Sequence, residues 1–137
     1  KVKNEGINIT IHAGEGDGVH SIQEALDNGA KRIGHGVRII EDISDDNELG
    51  PTADYILQNN IPLEVCITSN LHTNMYKNPQ DHPISRLHNL GFNISLNTDN
   101  RLMSNTSIDN ELNVAKAAGI ENPTYLLKYS ASDSFLN

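Results

Sequence analysis

An α/β fold of about four parallel βα units, amounting to the second half of a (β/α)8 barrel, is what this sequence predicts, and three observations predict it. A β-rich segment, a polar loop and a helix-like segment ending in Gly or Asn recur about four times along the chain, the rhythm of βα units around a parallel sheet. The first and fourth of the strand segments alternate cleanly between apolar and polar residues, as strands with two different faces must. Their polar faces end in His12 and Asp99, at the strand ends where a parallel barrel carries its active site.

The elements follow in order. Gly6-Ile7-Asn8-Ile9-Thr10-Ile11-His12 reads as the first strand, with Ile7, Ile9 and Ile11 on one face and Asn8, Thr10 and His12 on the other. Ser21 to Asn28 is a helix stopped by Gly29, the residue type that accepts a left-handed backbone. Arg32-Ile33-Gly34-His35 is a short second strand, followed by an acidic loop through Asp42, Asp45 and Asp46. Those aspartates lack the ligand spacing of a calcium loop and read as solvated. Pro51-Thr52 starts a helix that runs to about Asn59, and Pro62 to Ser69 is the third strand. Pro83 opens a short helix ending before Gly91, and Phe92 to Asp99 is the fourth strand. One helix follows near Ser107 to Ala118, stopped by Gly119, and another starts behind Asn122-Pro123. Four such units cannot close an eight-stranded barrel. The opening Lys1-Val2-Lys3-Asn4 and the closing Ser134-Phe135-Leu136-Asn137, which reads as an unfinished helix, both look cut. The expectation is that residues 1–137 are the C-terminal part of one barrel domain whose N-terminal half is absent.

Composition narrows the function classes. A chain of 137 residues with 36% hydrophobic content suits one ordinary globular domain or a piece of one. A formal net charge of −8 with scattered Lys and Arg argues against nucleic acid or an anionic membrane as partner. No apolar run approaches the roughly 20 residues of a membrane span and no secretory signal is evident, so a cytoplasmic location is the default. The single thiol, Cys66, lies in the apolar run Leu63-Glu64-Val65-Cys66-Ile67 and reads as a buried small side chain rather than a nucleophile.

Three motifs carry candidate chemistry. His12-Ala13-Gly14-Glu15 puts an imidazole and a carboxylate within one loop, suited to a metal ligand beside a general acid, although a satisfied core histidine is the commoner reading of a lone His. In Arg32-Ile33-Gly34-His35-Gly36, flanking glycines leave room for a small reactant at His35, or simply make a turn with an exposed His. In Ser95-Leu96-Asn97-Thr98-Asp99-Asn100, Asp99 can ligate zinc or orient a water and Asn100 can bond a heteroaromatic ring, or both serve loop geometry. Their order decides: His12, His35 and Asp99 close the first, second and fourth strands of one βα series and so converge on one mouth.

Together with Glu64-Val65-Cys66-Ile67-Thr68-Ser69-Asn70 and Arg101-Leu102-Met103-Ser104, these segments closely resemble the adenosine deaminase family of metal-dependent hydrolases over nearly the whole chain. The resemblance implies a (β/α)8 barrel that uses one zinc to convert adenosine or deoxyadenosine to the inosine product with loss of ammonia. It implies that His12 and Asp99 are zinc ligands on the fifth and eighth strands. Glu15 would then be the proton donor to purine N1, and His35 the residue that orients and helps deprotonate the attacking water. Many animal members carry a second Asp where this chain has Asn100, whose amide can still donate to purine N7. The family's His-x-His ligand pair lies on its first strand and is not in this sequence. With two ligands where three are normal, this polypeptide alone is expected to bind zinc weakly and to lack useful activity.

Two rival readings stand beside this one. Another purine deaminase of the superfamily could act on adenine or on AMP, but acid-rich loops disfavour a phosphate. A half-barrel interaction module would have to cover two open sheet edges. Of the other histidines, His20, His82 and His88 read as structural, at or near helix ends, and His72 as a residue of the loop after the third strand, on the active-site side.

Overall fold

The computed structural model describes residues 7–127 and Phe135. Within them β1 (Thr10–Ala13), β2 (Arg32–His35), β3 (Leu63–Val65) and β4 (Ile94–Leu96) form one parallel sheet in the order β1-β2-β3-β4. Helices α1 (Val19–Asp27), α2 (Pro51–Gln58), α3 (Ile67–His72), α4 (Ile84–Asn89) and α5 (Ile108–Ala117) connect and follow the strands. Each strand pairs with the next in sequence, so the βα series read from the sequence is the observed topology.

Register gives the sheet two chemically distinct faces. His12 lies opposite Gly34, Gly34 opposite Glu64 and Glu64 opposite Ser95, making one polar row across all four strands. The other face carries Ile33, Leu63 and Ile94, also in register, and is buried under Ile22 and Ala25 of α1, Ala53 and Ile56 of α2 and Ile84 and Leu87 of α4. Burying each large aliphatic side chain contributes roughly 1.5–3 kcal/mol, so the helical layer supplies the driving force and leaves the polar row free for chemistry. Gly29, Gly91 and Gly119 all take positive φ just beyond α1, α4 and α5, as expected of helix stops.

Several boundaries differ from the sequence reading, for identifiable reasons. The first strand starts at Thr10 and runs past His12 to Ala13, while Ile7 is half exposed and Gly6 lies outside the described residues. Among the described residues β1 pairs on one side only, with β2, so its early residues gain less from pairing. β3 ends at Val65, and Ile67 to Ser69, read as strand because of their β-branched run, belong to α3. Tertiary contacts override propensity here. The buried carboxylate of Glu111 on α5 accepts the Thr68 N–H at 3.3 Å and the Thr106 hydroxyl at 2.7 Å, pinning the first turn of α3 against α5. β4 is restricted to Ile94–Leu96. The segment behind Asn122-Pro123 begins as a 3-10 turn, Pro123–Tyr125. Beyond residue 127 the expected closing helix lies outside the described residues, Phe135 excepted.

The acidic loop is only partly solvated. Asp45 and Asp46 are exposed, but Asp42 is turned inward, and its Oδ2 accepts the N–H groups of Thr52 and Ala53, each at 2.9 Å. Gly50, the N-cap of α2, has no side chain to cap with, so Asp42 satisfies those donors from a distance. Asp42→Ala is therefore expected to destabilise the fold by about 1–2 kcal/mol in denaturant titration, the usual cost of losing a helix cap, whereas Asp45→Ala should change little. No described helix is long and apolar enough to cross a membrane.

Candidate active site

The polar row and the loops at the C-terminal ends of the strands bring His12, Glu15, His35 and Asp99 together, whereas the predicted substrate contact Asn100 is exposed and does not line the cleft that His12, His35 and Asp99 share. His12 projects from β1, His35 is the last residue of β2, and Asp99 follows β4; all three line a cleft of about 120 Å³ with Glu64 and Asn97. The rings of His12 and His35 meet edge to face, 5.1 Å between centroids and 85° between planes. One potential ligand atom each from Glu15, His35 and Asp99 falls within 4.8 Å of the others. Carboxylate oxygen and imidazole nitrogen are donor types that suit a divalent metal ion, and His12, outside this trio, offers a further imidazole from the wall of the same cleft.

The local backbone explains how the side chains reach this point. His35 (φ 63°) and Asp99 (φ 47°) are both left-handed without being glycine, a conformation that costs energy and clusters at functional sites. The turn after β2 is tied to the turn after β1 by Gly36 N–H donating to the Ala13 carbonyl at 2.9 Å and Arg38 N–H to that of Gly14 at 3.1 Å. Gly34 has a sharper role than providing room at His35. A Cβ there would overlap the His12 ring, so the glycine makes space for the neighbouring strand's imidazole. Gly34→Ala is expected to displace the His12 ring, and in the full polypeptide metal titration should then read an affinity lowered by roughly 10–100-fold, the range seen when support around a ligand is lost.

Electrostatics separate the roles. His35 is 2% exposed, and burial lowers its pKa; the Glu15 carboxylate, 3.5 Å from Nε2, opposes this, and nearby His12 reinforces it. Asp99 accepts a 2.8 Å hydrogen bond from the Ser69 hydroxyl at Oδ2. Glu64 pairs with Arg32 at 3.0 Å and stays on the polar row. Cys66 borders the cleft, but burial pushes its thiol far up, so it stays protonated, the structural role its sequence context suggests. Asn100 Oδ1 accepts the Leu102 and Met103 N–H groups, both at 3.1 Å, which leaves its amide N–H groups to act as donors.

Sequence reasoning missed three residues. Ser69 closes the segment read as strand and Asn70 follows it, and helix α3 turns both toward the site, Ser69 onto Asp99 and Asn70 onto Glu15 and His35. His82, taken for a helix-end histidine, is buried with its ring against Asn70. His72 ends α3 exposed and does not line the cleft, because Ile67–His72 is a helix, not the strand end and following loop expected.

The family model for adenosine deaminase matches residues 1–126. This chain belongs to the adenosine deaminase family. Adenosine deaminase 1 of Streptomyces coelicolor is 48% identical over 115 residues, covering 80% of this chain and 29% of that protein. Adenosine deaminase of Mycolicibacterium vanbaalenii is 43% identical over 116 residues, covering 81% and 32%. The chain thus spans about a third of the length of the adenosine deaminases it matches. Among solved structures, an adenine deaminase from Arthrobacter aurescens superposes with TM-score 0.83 at 25% identity, covering 98% of this chain and 40% of that one. The N6-methyl-AMP deaminase of Arabidopsis thaliana gives 0.77 at 27%, covering 98% and 38%. The four βα units of this adenosine deaminase family chain are therefore shared with larger barrel enzymes.

Proposed function

We propose that the full polypeptide carrying this chain hydrolyses adenosine and deoxyadenosine to inosine and deoxyinosine with release of ammonia, and that residues 1–137 form the C-terminal part of its single barrel domain. The observation that carries the reading is the convergence of His12, Glu15, His35 and Asp99 on one mouth in a chain of this family. His12 and Asp99 would hold zinc, which when bound makes water nucleophilic at neutral pH. His35 orients that water toward purine C6. Glu15, beside His35, donates a proton to N1, so that charge drains from the ring as the tetrahedral centre forms. An Asn100 amide N–H reaches N7. A cytoplasmic location goes with this reading.

Two features argue that the chain needs a first half to act. The cleft is far below the roughly 300 Å³ of a small-molecule pocket, so further walls must close around the nucleoside. β1 and β4 each present an unpaired edge within the described sheet, which further barrel strands would cover. AMP fits less well than adenosine, because Arg38, the cation nearest Glu15 in its cleft, is already held by Glu41 at 2.6 Å. The test is ammonia release from adenosine, deoxyadenosine, adenine and AMP by the full polypeptide, with metal content measured by elemental analysis. Turnover of the nucleosides with about one zinc per chain is the expected result. Turnover of adenine alone would reassign the substrate, and no turnover by zinc-loaded protein would overturn the reading.

A further inference from the structure

Behind His35 lies a row of buried polar groups that the proposed chemistry does not use. It starts at a group whose role is fixed, the backbone N–H of Ile84 at the start of α4, which can only donate and points at His82 Nδ1, 3.2 Å away. His82 must therefore accept at Nδ1 and carry its proton on Nε2. That Nε2 stands 3.2 Å from Asn70 Oδ1, so the Asn70 carbonyl accepts from it. The orientation of the Asn70 amide follows, because a flipped amide would set N–H against N–H. Its two Nδ2 hydrogens then meet Glu15 Oε1 and His35 Nδ1, each at 3.3 Å. Asn70 is fully buried, and every one of these partners is the complement it requires.

From this geometry we infer that His82 and Asn70 are positioning residues that lock His35 in the tautomer protonated at Nε2, so that His35 presents an N–H, not a lone pair, to the reaction cleft. The inference rests on the reading of His35 as the residue that faces the attacking water. It changes what His35 does there: in the resting state it orients the water by donating to its oxygen and cannot accept its proton. The same lock removes His35 from the metal-binding set, although one of its nitrogens lies near Glu15 and Asp99. A ligating histidine donates its second ring N–H to an acceptor, whereas Nδ1 of His35 faces a donor. His82 suits the part of anchor because burial holds its pKa down to about 3, keeping it neutral.

Ring 15N NMR of the histidine-labelled full polypeptide reads the tautomers directly. The wild-type protein should show His35 and His82 both protonated at Nε2; an Nδ1–H form of His35 would overturn the inference whether or not any variant folds. Asn70→Asp replaces the donor with an acceptor and should move the His35 proton to Nδ1. With it, kcat on adenosine should fall about 100-fold or more with KM changed less than about threefold, since a misassigned tautomer alone can cost up to about 10⁴ in a hydrolase. His82→Gln, which can still donate to Asn70 Oδ1, should keep the wild-type His35 signature, and His82→Leu should lose it. An unchanged His35 signature in both Asn70→Asp and His82→Leu, or a shifted tautomer with unchanged kcat, would sink the idea. A polypeptide inactive on every purine would defeat the functional reading while leaving the spectra to decide the lock.

Discussion

Asp99→Asn in the full polypeptide is expected to abolish stoichiometric metal binding and to cut deamination by on the order of 10³-fold or more, while leaving the fold intact. The substitution is chosen because of the backbone. Asp99 sits at φ 47°, where Asp and Asn are among the few residues tolerated without glycine, so the turn survives and only the charge is lost. Asn keeps an oxygen able to accept from the Ser69 hydroxyl, now at 2.8 Å, so local hydrogen bonding is also preserved. What would disappear, on the proposed reading, is the anionic ligand that shares the cleft with His12, and a metal centre provides several kcal/mol of transition-state stabilisation, each 1.4 kcal/mol being about a factor of ten. Ser69→Ala is the graded companion, which orients the carboxylate less firmly and should weaken metal affinity by roughly 10–100-fold. Elemental analysis, initial rates and a melting curve together check this. A metal-replete, fully active Asp99→Asn protein would remove Asp99 from the site.

The site was legible where strand ends carry it and illegible where helices do. His12, His35 and Asp99 could be placed because alternation along a strand fixes which face a residue takes, and parallel topology fixes which end of the sheet is the mouth. The boundaries of β2 and the glycine stops after α1, α4 and α5 were readable for the same local reasons. Ser69 and Asn70 were not, because Ile67-Thr68-Ser69 has strand propensity and its helical first turn is held by Asn110 and Glu111, more than 40 residues away in sequence. The role of Asp42 was hidden in the same way. An aspartate in a run of acids looks solvated, and only the return of the chain at Pro51 brings two unsatisfied N–H groups to it. His82 is the sharpest case, since a histidine before Pro83 carries no local signal that its ring will be buried against Asn70. The assignment of zinc and of individual catalytic roles came from family resemblance, and the geometry supplies proximity and burial in their support.

His82 should also make the fold acid-sensitive in a window that ordinary histidines leave quiet. Burial lowers its pKa to about 3, against about 6.5 in the unfolded chain, so between these values the unfolded state binds a proton that the folded state refuses. Stability is then complete above about pH 6.5, falls as pH drops through the window, and levels off for this group below about pH 3, with a slope of up to about 1.4 kcal/mol per pH unit. Protonating Nδ1 would also strand the Ile84 N–H, which has that nitrogen as its acceptor at 3.2 Å, so folded protein cannot take up the proton without breaking the start of α4. His35, whose pKa is also lowered, adds to the trend in the same direction, and carboxylates add their own at lower pH. His82→Gln isolates the term, because it keeps a polar group of similar size and removes the titration. Denaturant unfolding at pH 7.5 and pH 5 should give a wild-type loss larger than that of His82→Gln by about 2 kcal/mol; parallel losses in the two proteins would show that His82 is not held neutral by burial.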